Sequence, residues 1–127
     1  MGMFSATAPV IAILSNDLFI GQAEGYATGS GAITIESKVN PDIRCIGQFI
    51  YEAGLSGSGV MQCNDGTSTD FRFQGLSALS GYGFGISQRG PISFTYGLTP
   101  EEAVPYLKLP RGKKLHKKGP ALELINV

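Results

Sequence analysis

The sequence predicts an all-β protein, an antiparallel meander that forms a small barrel or a barrel-like sandwich. Apolar and polar residues alternate with a period of two along most of the 127-residue chain, as in strands that bury one face. Turn sequences interrupt this alternation about every 8 to 12 residues, a spacing typical of antiparallel sandwiches and barrels. Closure is expected because an open sheet of short strands would leave unpaired backbone groups at its edges.

Eight strands are predicted, each bounded by turn-forming residues. Ser-Asn-Asp at 15–17 separates the first two strands, and Thr-Gly-Ser at 28–30 separates the second from the third. Asn-Pro-Asp at 40–42 favours a turn because proline fixes φ and the Asn and Asp side chains bond to nearby backbone. Asp-Gly at 65–66 is a hairpin signal. The predicted strands cover residues 8–14, 18–27, 31–39, 43–52, 57–64, 68–75, 82–87 and 91–97.

The alternation within single strands identifies candidate core residues. In the sixth strand the aromatic residues are the odd-numbered Phe71 and Phe73, and in the eighth they are the even-numbered Phe94 and Tyr96. Successive side chains of a strand point to opposite faces, so each pair shares one face. We expect these four side chains to lie in the core.

One short helix is predicted after the last strand. Thr99 supplies an N-cap hydroxyl, Pro100 takes the first helical position, and Glu102 completes a capping box. Pro105 removes a backbone donor and limits the helix to one or two turns. The side chains expected to close one end of the sheet are Val104, Tyr106 and Leu107.

Charge and composition divide the chain into three parts. Residues 1–7 are expected to be a flexible N-terminal segment, residues 8–107 a single β domain, and residues 108–127 a basic tail whose last residues, 122–127, could add an edge strand. Up to residue 107 there are nine acidic and four basic residues, whereas the tail has one acidic and six basic residues. The balanced total charge therefore hides an acidic domain with a basic extension.

The basic extension contains a cluster of four lysines around His116. Such a run can bind nucleic acid, an anionic lipid surface or an acidic partner through point charges. The alternative is a solvated tail without a partner, which is the common state of charge runs. The four residues are Lys113, Lys114, Lys117 and Lys118.

The two cysteines are candidates for one disulfide. If the fourth and fifth strands form a hairpin centred on Gly54, Cys45 lies opposite Cys63, Phe49 opposite Gly59, and Gly47 opposite Met61. Opposed strand positions have Cα atoms about 4.5 to 5.5 Å apart, a separation that a disulfide tolerates. Two buried free thiols are the alternative, because bridging depends on an oxidising compartment. Two cysteines and one histidine are too few for a four-ligand zinc site, so neither a metal nor another cofactor is expected.

The glycine-rich segment 81–90 is the candidate contact surface, and Tyr82, Phe84 and Arg89 are its candidate binding residues. Its Gly-Tyr-Gly-Phe sequence resembles the central strand of RNA-recognition and cold-shock domains, where aromatic side chains stack on bases. Ser80 and Gly85 depart from that pattern, and the domain is acidic where a nucleic-acid binder is usually basic. A glycine-rich bend that packs its aromatic rings against the sheet is the alternative.

Catalysis is the less favoured function. The one histidine lies in the predicted tail, which argues against a Ser-His-Asp or Cys-His arrangement. A small enzyme with a carboxylate and tyrosine site remains an alternative through Glu52, Asp65 and Asp70. Carboxylates near turns, however, more often cap or stabilise the turn.

No membrane-spanning segment and no targeting leader are predicted. The longest apolar stretch, residues 10–20, is interrupted by Ser15, Asn16 and Asp17, and a membrane helix needs about 18 or more apolar residues. The first residues lack the basic region of a secretory signal.

Four segments resemble a group of small bacterial proteins of uncharacterised function. These segments are Arg-Cys-Ile-Gly at 44–47, Cys-Asn-Asp-Gly at 63–66, Leu-Ser-Gly-Tyr-Gly at 79–83 and the stretch from Phe94 to Ala103, within a similarity that covers about residues 20–110. Members of the group often begin with an export or lipoprotein leader, so the resemblance implies the cell envelope or periplasm, and with it the disulfide. The cytoplasm is the alternative location.

The best functional hypothesis from the sequence is a non-enzymatic binding or interaction module of the bacterial cell envelope. Its contact surface is expected at Tyr82, Phe84 and Arg89, and its partner is expected to be a protein or a small ligand. Binding of nucleic acid or an anionic surface through the aromatic segment and the basic tail is the second hypothesis.

Overall fold

A closed barrel of eight antiparallel strands forms the main part of the computed structural model, which describes residues 5–127. Each strand pairs with the next strand in sequence, and the eighth pairs with the first, so the predicted all-β meander is confirmed. The strands are β1 (Ser5–Leu14), β2 (Asp17–Tyr26), β3 (Ser30–Ser37), β4 (Arg44–Ala53), β5 (Ser56–Cys63), β6 (Ser68–Ser77), β7 (Ser80–Ser87) and β8 (Gly90–Tyr96).

The first turn shows how local sequence closes a hairpin. Ser15 and Asn16 are the two residues between β1 and β2, and both have positive φ, at 54° and 68°. Two successive residues with positive φ give a turn whose twist matches that of the flanking strands. Asn tolerates the conformation better than most non-glycine residues. Three of the predicted flexible N-terminal residues, 5–7, belong to β1, and residues 1–4 lie outside the described part of the chain.

Five aromatic rings of β4, β6 and β8 fill much of the barrel, and each lies over a glycine of the preceding strand. A Cβ atom built on any of these glycines would lie less than 3.0 Å from the ring, so the absence of a side chain makes room for it. The pairs are Phe49 over Gly31, Phe71 over Gly59, Phe73 over Gly57, Phe94 over Gly83 and Tyr96 over Gly81. Of the four predicted core residues, three are fully buried and Tyr96 is partly buried.

The short helix α1 (Pro100–Ala103) follows the barrel and continues as a 3₁₀ turn (Val104–Tyr106). Its predicted capping box is present, with the Thr99 hydroxyl accepting from the Glu102 amide. The expectation that it closes an end of the sheet is wrong. Ala103 and Leu107 instead pack on the outside of the barrel, against outward side chains of β1 and β2, while Val104 is exposed.

The C-terminal segment forms a hairpin where a basic tail was expected. Its strands are β9 (Lys113–Lys118) and β10 (Ala121–Asn126), and they pair with each other in a separate sheet. Gly112 and Gly119 have positive φ and form the turns, so these apparent breakers delimit a hairpin. Leu115, Leu122 and Leu124 pack with the outward side chains of β1 and β2. The helix and the hairpin together therefore cover one side of the barrel.

Candidate functional site

A cavity of about 420 Å³ opens at one end of the barrel. We call this the open end; the turns between β2 and β3, β4 and β5, and β6 and β7 lie there, and the other four turns lie at the closed end. The space exists because the β1–β2 hairpin carries small inward residues at this end, with Ala6 paired with Gly25 and Ala8 with Ala23. The inward ring of this hairpin, Phe19, is buried near the β1–β2 turn at the closed end, whereas rings of β4, β6 and β8 extend to the open end.

The opposite wall of the cavity is aromatic and well packed. The Phe73 ring lies edge-to-face with Phe49, Tyr51 and Tyr96, at centroid distances of 5.4, 5.2 and 6.2 Å. Phe71 packs in the same way on Phe94 at 5.3 Å. Such interlocked rings hold their positions with little freedom. The cavity therefore has a rigid apolar wall facing a wall of small side chains.

The Tyr96 hydroxyl is the most unusual group of this site. It is buried and has no hydrogen-bond partner among residues 5–127, although Tyr96 lines the cavity. Burial, with a smaller contribution from nearby Tyr51, raises the pKa of Tyr96 from 10.0 to about 12, so the phenol stays protonated near neutral pH. Buried hydroxyls nearly always find a partner, because leaving one unpaired costs about 1 to 3 kcal/mol. The oxygen itself is buried over Gly81, so an acceptor atom in the cavity would satisfy this donor only after the Tyr96 side chain shifts toward it.

The cavity carries no formal charge on its described lining. Its polar side chains are hydroxyls, and no acidic, basic or histidine side chain lines it within residues 5–127. A charged ligand would lose its hydration there without gaining an ion pair. The lining hydroxyl side chains are those of Ser5, Thr7, Tyr26, Tyr51 and Tyr96.

The three predicted contact residues do not form one surface. The glycine-rich segment is mostly strand β7, which includes the predicted strand at residues 82–87, and Tyr82 and Phe84 point outward from the sheet. Tyr82 stacks on Tyr106 of the 3₁₀ turn with a centroid distance of 4.6 Å, and Phe84 is exposed in the middle of the strand. Arg89 lies in the turn before β8 at the closed end.

Arg89 forms an ion pair with Asp65 of the β5–β6 turn, so it links two turns at the closed end of the barrel. The Asp65 carboxylate also accepts from the Thr67 amide at 2.9 Å. These hydrogen bonds with Thr67, followed by the nearby Arg89, lower the pKa of Asp65 below 3.8. The other carboxylates named as enzyme candidates lie elsewhere, Asp70 outward on β6 and Glu52 beside Arg72, so the three do not form one site.

The lysine cluster lies on β9, where Lys113, Lys114, Lys117 and Lys118 are all exposed. Lys113 donates from Nζ to Asn126 Oδ1 at 2.7 Å within the hairpin. These charges therefore form part of a folded surface on the outside of the barrel.

The predicted cysteine register is confirmed. Cys45 lies opposite Cys63, with the sulfur atoms at disulfide distance, and Phe49 and Gly47 lie opposite Gly59 and Met61 as expected. The pair is buried in the barrel core, away from the open end.

Residues 5–127 contain neither a metal-binding cluster nor a membrane-spanning helix. No group of three or more His, Cys, Asp or Glu side chains has the arrangement of a metal site. In the same residues, no helix has the length and apolarity to cross a membrane.

Sequence reasoning missed the cavity and assigned Tyr96 only to the core. A signal was present, since alternate small residues at 6, 8, 23 and 25 contrast with the aromatic residues of the later strands. Comparisons of the chain with protein-family models, with curated proteins and with solved structures found no match. The function is therefore inferred from the geometry of the barrel.

Proposed function

We propose that this protein binds a small, uncharged and largely apolar molecule in the open end of its barrel. The observation that carries the proposal is the buried Tyr96 hydroxyl at the wall of an apolar cavity, which has no hydrogen-bond partner in the described part of the chain. Eight-stranded barrels have interiors wide enough to hold one small ligand. A volume of about 420 Å³ also falls in the range of small-molecule sites.

The lining defines the chemistry of the ligand. Rings of Phe49, Phe73 and Phe94 offer apolar contact, and the uncharged lining favours a neutral molecule. Tyr96 remains a donor over the physiological pH range because its pKa is raised to about 12. The ligand we propose therefore has an apolar body and one acceptor such as a carbonyl or ether oxygen.

The proposed role is binding without catalysis, as the sequence also suggests. Among the described lining residues, the Tyr26 hydroxyl donates to Glu24 Oε1 at 3.4 Å at an exposed position, whereas the buried Tyr96 hydroxyl has no histidine or carboxylate partner, so no general base is positioned to activate it. We further propose that the protein acts in the bacterial cell envelope. The cysteine pair at disulfide distance supports this location, since disulfides persist mainly in oxidising compartments.

Two neutral fluorescent probes test the proposal. Prodan is a naphthalene ketone with one acceptor, whereas N-phenylnaphthylamine is an apolar molecule without a carbonyl group. We expect both to bind saturably with increased emission. Tyr96→Phe should weaken prodan about 2- to 10-fold, which corresponds to the loss of one hydrogen bond, and leave the second probe unchanged.

A cavity-filling variant provides the stronger control. Ala23→Phe places a ring in the space beside Ala8 and should abolish binding of both probes. Ala121→Phe adds the same side chain at an exposed position of β10 and should leave binding intact. Absence of saturable binding to the wild-type protein, or equal binding by a folded Ala23→Phe variant, would overturn the proposal.

A further inference from the structure

The outer face of β4 to β7 is exposed and rich in apolar side chains. Ile50, Val60, Phe84 and Ile86 expose 51%, 52%, 60% and 79% of their surfaces. The equivalent face of β1 and β2 is covered by the C-terminal helix and hairpin. The apolar side chains form two pairs, Ile50 with Val60 and Phe84 with Ile86, on either side of the polar outward residues of β6. Large apolar side chains exposed together on one face are typical of an interaction surface.

Two opposite charges lie in the centre of this patch, both pointing outward from β6. Asp70 lies between Val60 of β5 and Ile86 of β7. Arg72, two residues along the same strand, lies between Ser58 and Phe84. The strand spacing places the two charged positions about 7 Å apart.

Neither charge has an ion-pair partner closer than 4.0 Å among the residues that the structure describes. Arg72 approaches Glu52 only at 4.0 Å, and its side chain is largely exposed. Asp70 makes no ion pair or side-chain hydrogen bond with the residues described. Ion pairs as exposed as that of Arg72 contribute little to stability, so both groups are free to pair with another molecule.

We propose that this face binds a second copy of the chain and forms a two-fold symmetric dimer. In such an interface the same patch meets itself, so it must be self-complementary. Consider a two-fold axis that lies in the plane of the interface, perpendicular to β6, and passes between Asp70 and Arg72. This axis brings the outward residues of the two β6 strands face to face in opposite order. Asp70 then faces Arg72 of the second copy, and Phe84 faces Ile86 of the second copy.

The charges distinguish this arrangement from the other two-fold packing of the same face. An axis parallel to β6 would place Asp70 against Asp70 and Arg72 against Arg72. Like charges brought together at an interface are strongly unfavourable. The inferred dimer is independent of ligand binding in the barrel, because its residues point outward and the cavity residues point inward.

Charge exchange between two variants tests this pairing. The wild-type chain should sediment at twice its mass of 13.4 kDa. Asp70→Arg gives a patch with two positive charges and Arg72→Asp gives one with two negative charges, so each variant alone should be monomeric. Mixed in equal amounts, they should recover the dimer mass, because each positive position then faces a negative one.

Three controls make the outcome decisive. Asp42→Arg reverses an exposed charge in the β3–β4 turn and should remain dimeric. Phe84→Ala removes apolar contact without changing charge and should shift the dimer equilibrium toward monomer. The melting temperature shows that each variant is folded. A monomeric wild-type protein, or folded charge variants that do not restore the dimer when mixed, would overturn the proposal.

Discussion

The ring of Phe94 lies directly over Gly83 on the neighbouring strand, in the space that a side chain at position 83 would occupy. A Cβ atom there would also lie 2.5 Å from the carbonyl oxygen of Arg72, which belongs to the backbone and has little freedom to move. The same relationship recurs on successive hairpins of the barrel. The glycines of β3, β5 and β7 are therefore part of the packing of the core.

Gly83→Ala should destabilise the protein by about 1 to 3 kcal/mol, the usual cost of forcing extra volume into a packed core. Gly25→Ala is the matched control, because a Cβ atom at this strand position meets no atom within 4 Å. It should be neutral or stabilising by up to about 1 kcal/mol. Urea unfolding of both variants tests the difference. Equal stability of the two would contradict this account of the core.

Removal of the Cys45–Cys63 link should cost about 3 kcal/mol, as expected for closing a loop with a sequence separation of 18 residues. The double variant Cys45→Ala/Cys63→Ala should unfold at lower urea concentration than the oxidised protein. Addition of reductant should lower the wild-type midpoint and leave the variant unchanged. If both thiols of the unfolded native protein react with an alkylating reagent without prior reduction, the bridge is absent.

Alkaline pH should destabilise the protein through Tyr96. Its pKa is 10.0 as an ordinary value and about 12 in the fold, so the folded state holds the proton more tightly than the unfolded state. The contribution of protonated Tyr96 to the free energy of unfolding is fully present below pH 10.0 and is lost as the pH rises toward about 12. Tyr96→Phe should show a weaker fall in stability over this window. Parallel curves for the two proteins would contradict the assignment.

Arg89→Ala should change the free energy of unfolding by less than about 1 kcal/mol, because its ion pair with Asp65 is partly exposed. Asp65→Ala should cost more at neutral pH, since it also removes the acceptor for the Thr67 amide. Because the pKa of Asp65 is lowered in the fold, its contribution is present above pH 3.8 and disappears as the pH falls below that value. Urea unfolding at neutral and acidic pH tests both statements. Loss of probe binding in Arg89→Ala would instead assign this residue a role at the cavity.

The barrel and its register were predictable because they depend on local patterns. Alternation placed Phe71 and Phe94 inside, and a hairpin centred on Gly54 was enough to pair Cys45 with Cys63. The role of glycine was only partly visible, since the sequence indicates a small residue opposite Phe49 but not which rings enter the barrel.

The small inward residues of the first hairpin were a signal for the cavity, but its walls could not be predicted from local patterns, because it is an empty space between distant segments. Its small wall comes from the first hairpin, and its donor, Tyr96, comes from the last strand. The C-terminal hairpin was missed for a different reason. The prolines and glycines at residues 110–120 are typical of a flexible tail. Packing of Leu122 on the barrel distinguishes the observed hairpin from such a tail.

The seam between β1 and β8 has a consequence for how the chain folds. The other barrel pairings join consecutive strands, whereas this seam joins opposite ends of the β domain through five residue pairs, from Val10 with Tyr96 to Leu14 with Ile92. Long-range pairings require the costliest loop closure and form slowly. We expect the seam to close last during folding. An occupant held by Tyr96 would then stabilise the step that completes the barrel.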